Sequence, residues 1–272
     1  MRIRYLVISS LVLAACSGGD EGGTTDTSET DTADGVGDDD DDDDDVTDTV
    51  ETTARLSGTV VDASGAPIGG ANIRFCRGAQ CRYFTTESDG AYVFDDTAVA
   101  PQSFEVVPPE ASGLVTTFAP LNFGSNEDRV VDVTVPELGA AVSLPASMTE
   151  LTFGALQITM GADDLEAPLF VDEATEASAT WVETALQLPV DGVSGTVVAM
   201  WYLMPFDHHS TEGMAVRFDL GSLGLTGPEY RVYLGSYAES AWTDEGTITD
   251  GGGGVYEGIT IAELSTLVVV EE

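Results

Sequence analysis

The chain has 272 residues, 43% of them apolar, and carries 48 acidic against nine basic residues, a net charge of −39. That is room for two ordinary domains with buried cores. The field excludes nucleic acid as a partner, because it repels phosphate backbones, and it repels an anionic membrane face unless divalent cations intervene. The acid is unevenly spread: residues 17–53 hold 16 Asp and Glu and no Arg, while residues 54–272 hold 32 against seven Arg, a net charge of −25.

At the amino terminus, Arg2 and Arg4 precede an apolar run from Tyr5 to Ala15. A charged n-region and an h-region of this length predict a secretory signal peptide over residues 1–15, too short to span a bilayer as a helix. The run ends in Leu13-Ala14-Ala15-Cys16, which resembles the lipobox of bacterial lipoproteins. That resemblance implies cleavage before Cys16 and attachment of a diacylglyceryl group to its thiol. Anchoring to the lipid bilayer through acylated Cys16 is then stable, because more than one acyl chain is buried. Ser17 stands where an aspartate would mark inner-membrane retention in Gram-negative bacteria, so the expected location is the outer membrane or cell surface.

Residues 16–53 read as a disordered acidic tether. Past Cys16 they are almost all Gly, Ser, Thr, Asp and Glu, with Val36, Val46 and Val50 as the only large apolar residues and an unbroken aspartate run from Asp38 to Asp45. Such a composition buries too little surface to offset chain entropy, and its charges repel one another. A chain of this length has a coil dimension of roughly 35 Å and a stretched limit of roughly 130 Å, enough to lift a folded part clear of headgroups. The aspartate run has no fixed backbone to converge oxygens on calcium, so only non-specific condensation of calcium is expected there.

From residue 54 the composition turns to short alternating strands. Strand patterns occur at Leu56 to Asp62, Ala71 to Cys76, Cys81 to Thr86, Ala91 to Phe94, Phe104 to Val107 and Val130 to Val135. Their spacing predicts an all-β sandwich over residues 54–136. The segments Gly58-Thr59-Val60-Val61-Asp62, Gly65-Ala66-Pro67-Ile68, Ala71-Asn72-Ile73 and Thr85 through Phe94 resemble the carboxypeptidase regulatory-like family, a transthyretin-like sandwich. The resemblance implies an accessory module without catalytic residues, related to carbohydrate-binding sandwiches. Val99-Ala100-Pro101-Gln102-Ser103-Phe104 stands where the family has a Pro-Gly-x-Tyr turn. Cys76 and Cys81 flank four residues; if these form a hairpin loop, the cysteines lie opposite each other at disulfide distance. The same count pairs Ile73 with Phe84 and Arg74 with Tyr83, with the cysteines on the Arg74 side, the expected solvent face. Outside the cytoplasm the bond should form.

Residues 137–272 predict a second β-sandwich. Met214, Val216, Phe218 and Leu220 alternate with Arg217 and Asp219, and Tyr230, Val232 and Leu234 alternate likewise. Longer strands are expected at Thr180 to Leu188 and Val197 to Met204, and a hairpin turns at Asp250-Gly251-Gly252-Gly253-Gly254. Ile259 through Thr266 resembles the motif before the last strand in the ankyrin and adhesion-receptor autoproteolysis-type sandwiches. Self-cleaving relatives have a histidine base there; Glu263 replaces it, so the resemblance implies a structural motif in which Ser265 lacks its activator.

No residue is assigned to catalysis. His208 and His209 follow Asp207, but neighbouring histidines point apart and no third ligand is identifiable, so neither a metal site nor a cofactor is expected. These residues read as a polar loop between a strand ending at Met204 and one starting at Met214. No nucleophile elbow, phosphate loop or dinucleotide fingerprint occurs. Trp181, Trp201 and Trp242 are core residues or sugar-stacking platforms, and the sequence leaves that open. The expectation is a non-catalytic module that binds an envelope protein or a glycan, with a glycan-specific module as the alternative and a hydrolase using Asp207 and His208 as the distant one.

Overall fold

The computed structural model describes residues 53–169 and 171–272. The expected signal peptide, the expected acylation site Cys16 and the expected tether through residue 52 lie outside the described residues; Thr53, expected as the last tether residue, is instead the first residue of a strand. The described part is all β, and it begins with β1 (Thr53–Asp62), β2 (Asn72–Arg77), β3 (Gln80–Thr85), β4 (Ala91–Ala98), β5 (Gln102–Val107), β6 (Thr117–Leu121), β7 (Asp128–Val130) and β8 (Val133–Val135). One sheet runs β4-β1-β7, with β8 also on β1; the other runs β3-β2-β5-β6. The two sheets enclose a core that includes Leu56, Val60, Ile73, Phe75, Phe94 and Phe104. Alternating apolar positions on β1, β2 and β4 face inward, which is why the period-two pattern located those strands.

The residues of the family-like motif make the turns. Asp62 ends β1, and its carboxylate accepts from Ser64 N and Ala66 N. Thr86 Oγ1 donates to Ile68 O and accepts from Ala71 N, closing the path from turn to strand. Gly90 has φ +77°, and a Cβ there would meet Val60 O at 2.3 Å. Only glycine satisfies both conditions.

Two expectations in this half need correction. The strand expected over Val130 to Val135 is split, because Val131 and Asp132 break the pairing. Asp132 instead accepts from the backbone and side chain of Thr59. Thr117–Leu121, outside the expected strands, also forms one; β6 accommodates Pro120 because it is an edge strand.

The remaining strands are β9 (Val142–Ser143), β10 (Thr149–Phe153), β11 (Leu156–Met160), β12 (Leu165–Glu166), β13 (Glu176–Trp181), β14 (Thr196–Met204), β15 (His209–Asp219), β16 (Glu229–Ser236), β17 (Ala241–Asp250), β18 (Val255–Glu263) and β19 (Thr266–Glu271). They form one long sheet in the order β10-β11-β15-β18-β17-β16-β19-β14-β13-β9, with β12 on β15. It encloses a second core around Trp201, Phe218, Tyr230, Val232 and Ile261. The strand expected over Thr180 to Leu188 ends at Trp181 and gives way to a 3-10 turn at Thr184–Leu186. The expected loop from Met204 to Met214 is also shorter, since β15 already begins at His209.

The two cores meet across shared strands. On β14, Met200 and Tyr202 pack into the first core, while Ala199, Trp201 and Leu203 pack into the second. On β19, Val268 and Val270 face the first core and Leu267 and Val269 the second. Burial on both faces explains the unbroken apolar run Leu267 to Val270. The packing therefore continues past residue 136. Arg129 donates to both oxygens of Asp191 at 2.6 and 3.0 Å, and the outer face of β6 puts Phe118 against Phe206 and Tyr237, with ring centroids 5.3 and 5.6 Å apart.

Candidate functional site

β2 and β3 join in a tight hairpin with Arg77 opposite Gln80 and Cys76 opposite Cys81. The cysteines are bonded, with an S–S distance of 2.10 Å and Cα atoms 4.0 Å apart. Their face is not the solvent face throughout. Tyr83 is 65% exposed, but Cys76 is fully buried. The cause is long-range: Tyr237, 161 residues on, covers Cys76, and its hydroxyl donates to Cys76 Sγ at 2.9 Å. A disulfide sulfur has no proton to give, so the tyrosine is the donor.

The same face carries Glu105, opposite Arg74 in the sheet register. Glu105 is 2% exposed and pairs with Arg74 at 3.3 Å. Burial pushes its carboxyl up to about 7, against the pull of Arg74 and with a contribution from Asp207. Burial likewise pushes the Tyr237 hydroxyl up to about 12.

Asp207 lies in the turn between β14 and β15. Two backbone bonds tie that turn to the end of β18: Asp207 N donates to Leu264 O and Leu264 N to His208 O, both at 2.8 Å. His209 opens β15 directly opposite Glu263. Its Nε2 is 3.3 Å from Asp207 Oδ1, and its Nδ1 is 3.5 Å from Glu263 Oε2. The third candidate ligand absent from the sequence reading is therefore Glu263. One donor atom from each of Asp207, His209 and Glu263 lies within 4.8 Å of the others. Burial raises the carboxyl of Asp207 and pushes that of Glu263 up to about 7; His209 opposes both shifts. His208 points away and is buried, with Nε2 unpartnered. Ser265 is buried, and its hydroxyl donates to Gly235 O at 2.6 Å, which fixes it as a structural group.

The three tryptophans divide. Trp201 is fully buried in the second core against Phe218, and Trp242 is largely buried against the first. Trp181 is 46% exposed. It lies opposite Trp201 on the core side of β13, but β9 pairs with β13 only at Glu176 and Ala177. Beyond that point the edge of the sheet is open. There a cleft of about 370 Å³ is lined by Val142, Phe153, Ala155, Ala179, Trp181 and Leu223. It lies where the two ends of the long sheet approach each other. Among the described residues, no helix is long and apolar enough to cross a membrane.

Residues 55–136 match the family model of the carboxypeptidase regulatory-like domain. This segment is similar to the carboxypeptidase regulatory-like domain. The match ends where β8 gives way to the shared-strand half, so Glu105, the disulfide and Arg129 fall within the matched residues, and Asp207, His209, Glu263 and Trp181 do not. No curated protein matches the chain. Solved structures similar to it include a catechol 1,2-dioxygenase from Acinetobacter sp. ADP1, 18% identical over 38% of this chain and 47% of that one, with a TM-score of 0.24. A proposed carbohydrate-binding protein from Bacteroides uniformis is 13% identical over 81% and 100% of the two chains, TM-score 0.26. The Bacillus anthracis TIE protein is 11% identical over 77% and 44%, TM-score 0.29. This chain thus spans about half of the dioxygenase's length. Similarity at this level says nothing of ligand or activity.

Proposed function

We propose that the chain is a lipid-anchored envelope protein of a Gram-negative-type bacterium whose β-sandwich part binds a partner without turnover. Acylated Cys16 holds it at the outer membrane or cell surface, and the acidic tether gives it reach. The single observation that supports binding best is Trp181. It is a half-exposed, flat apolar side chain over an apolar cleft, held on a strand whose other end is locked into the second core. A rigid aromatic of this kind presents large contact area at little entropic cost.

The cleft favours a neutral glycan as the ligand. Its lining is mostly apolar around one indole, which suits stacking on a sugar ring, while the net negative charge disfavours anionic ligands. The test is affinity for a neutral glycan array and for envelope fractions, at low and high salt, for the full chain and Trp181→Ala. Glycan binding should vary little with salt and fall at least about tenfold in the variant, with melting temperature nearly unchanged. Equal binding by both proteins removes the cleft from the account. Steep salt dependence points to a basic protein partner instead. Hydrolysis of an envelope substrate, abolished by His208→Ala, would overturn the non-catalytic reading.

A further inference from the structure

We propose that Asp207, His209 and Glu263 form a binding site for a first-row divalent cation, with zinc as the fitting ion. The site is independent of the Trp181 cleft. It brings together one imidazole and two carboxylates from the turn before β15, the first residue of β15 and the last residue of β18.

Three observations carry it. The two carboxylates stand on fixed backbone: reciprocal 2.8 Å bonds between the 207–208 turn and Leu264 hold Asp207 and Glu263 in place. The side chain of Glu263 is nine-tenths buried, its Oε1 has no hydrogen-bond partner, and its other oxygen is aimed at His209. The contacts of His209, at 3.3 and 3.5 Å, are longer than the roughly 2.7–2.9 Å of charge-assisted hydrogen bonds. A buried carboxylate left without a close partner is costly, and a cation held by all three groups supplies that partner.

The donor set selects the ion. Calcium takes about six to eight oxygens and has little use for an imidazole. One nitrogen and two carboxylate oxygens suit zinc, whose ligand distances of about 2.0–2.2 Å place tetrahedral donors roughly 3.4 Å apart. The widest separation here is bounded by 4.8 Å, so the donors must draw inward. His209 is the group free to do so, because half of its side chain is in solvent. Its exposure also leaves a fourth position for water or for a ligand atom from outside. Glu239 and Glu245 lie near enough to act on the charge of Glu263 and add to the local negative field.

The experiment is calorimetric titration of the full-length, disulfide-bonded chain with Zn²⁺, in parallel with His209→Ala and Glu263→Gln. Wild type should bind one equivalent, and each variant should bind it at least about tenfold more weakly. Weak binding by the aspartate run at 38–45 should be the same in all three. His209→Ala removes an exposed side chain, so its unfolding without metal should match wild type, and zinc should raise the melting temperature of wild type alone. Co²⁺ in place of Zn²⁺ should give visible absorption in wild type and not in His209→Ala. Identical isotherms for wild type and His209→Ala, or only the weak binding in wild type, would overturn the proposal.

Discussion

Glu105→Gln gives a signed prediction for stability against pH. In the fold the Glu105 carboxyl is pushed from an ordinary 4.5 up to about 7, chiefly because burial penalises its charged form. Arg74 from β2 opposes this from 3.3 Å, Asp207 reinforces it, and Tyr237 covers the same face. A carboxyl that holds its proton more tightly in the folded chain stabilises the fold at low pH. That stabilisation is fully present below about 4.5 and is lost as pH rises through about 7. At about 1.4 kcal/mol per tenfold in proton affinity, the difference amounts to about 3 kcal/mol between pH 4 and pH 8. Glutamine keeps the shape and carries no charge at any pH. Urea unfolding of wild type and variant across this range should therefore give curves that converge toward each other at low pH in relative terms and separate at high pH, the variant losing less stability by up to about 3 kcal/mol. Glu263 shifts in the same direction and contributes equally to both proteins. Parallel pH profiles for the two proteins would refute the reasoning, because they would mean that Glu105 ionises in the fold as freely as in the open chain.

Two further outcomes follow from the packing. Cys81→Ser opens a five-residue separation and leaves the Cys76 thiol buried under Tyr237; it should cost about 2 kcal/mol in denaturant unfolding, and an unchanged midpoint would contradict a stabilising role. Residues 53–136 expressed alone lose the partners of Phe118, Ser103 and Arg129, together with Met200, Tyr202, Val268 and Val270 from the first core. Their amide spectrum should be poorly dispersed, whereas a well-dispersed one would show that the first core is self-sufficient.

Local features were legible in the sequence. The two-fold alternation of Met214, Val216 and Phe218 located a strand and its buried face, and counting outward from the Cys76–Cys81 turn gave the register of Ile73 with Phe84. Features that depend on distant segments were not. Glu263 is more than fifty residues from Asp207, and their meeting rests on the pairing of β15 with β18, whose register shifts between His209 and Met214. Cys76 looked solvent-facing because the hairpin alone exposes it; only Tyr237 buries it. Trp181 and Trp201 share a local pattern and even oppose each other, and what separates them is the early end of β9. One sequence signal did mark the shared strands. Leu267 to Val270 is apolar without alternation, the mark of a strand buried on both faces.

The position of β1 has a mechanical consequence. β1 begins at Thr53, the first described residue, and is flanked by β4 on one side and by β7 and β8 on the other. A pull from the amino-terminal side acts along the axis of an interior strand. The ladder bonds on both flanks run across that axis, so they take the load together in shear, where an edge strand would peel one bond at a time. Tension applied at Thr53 therefore loads several ladder bonds of β1 in parallel.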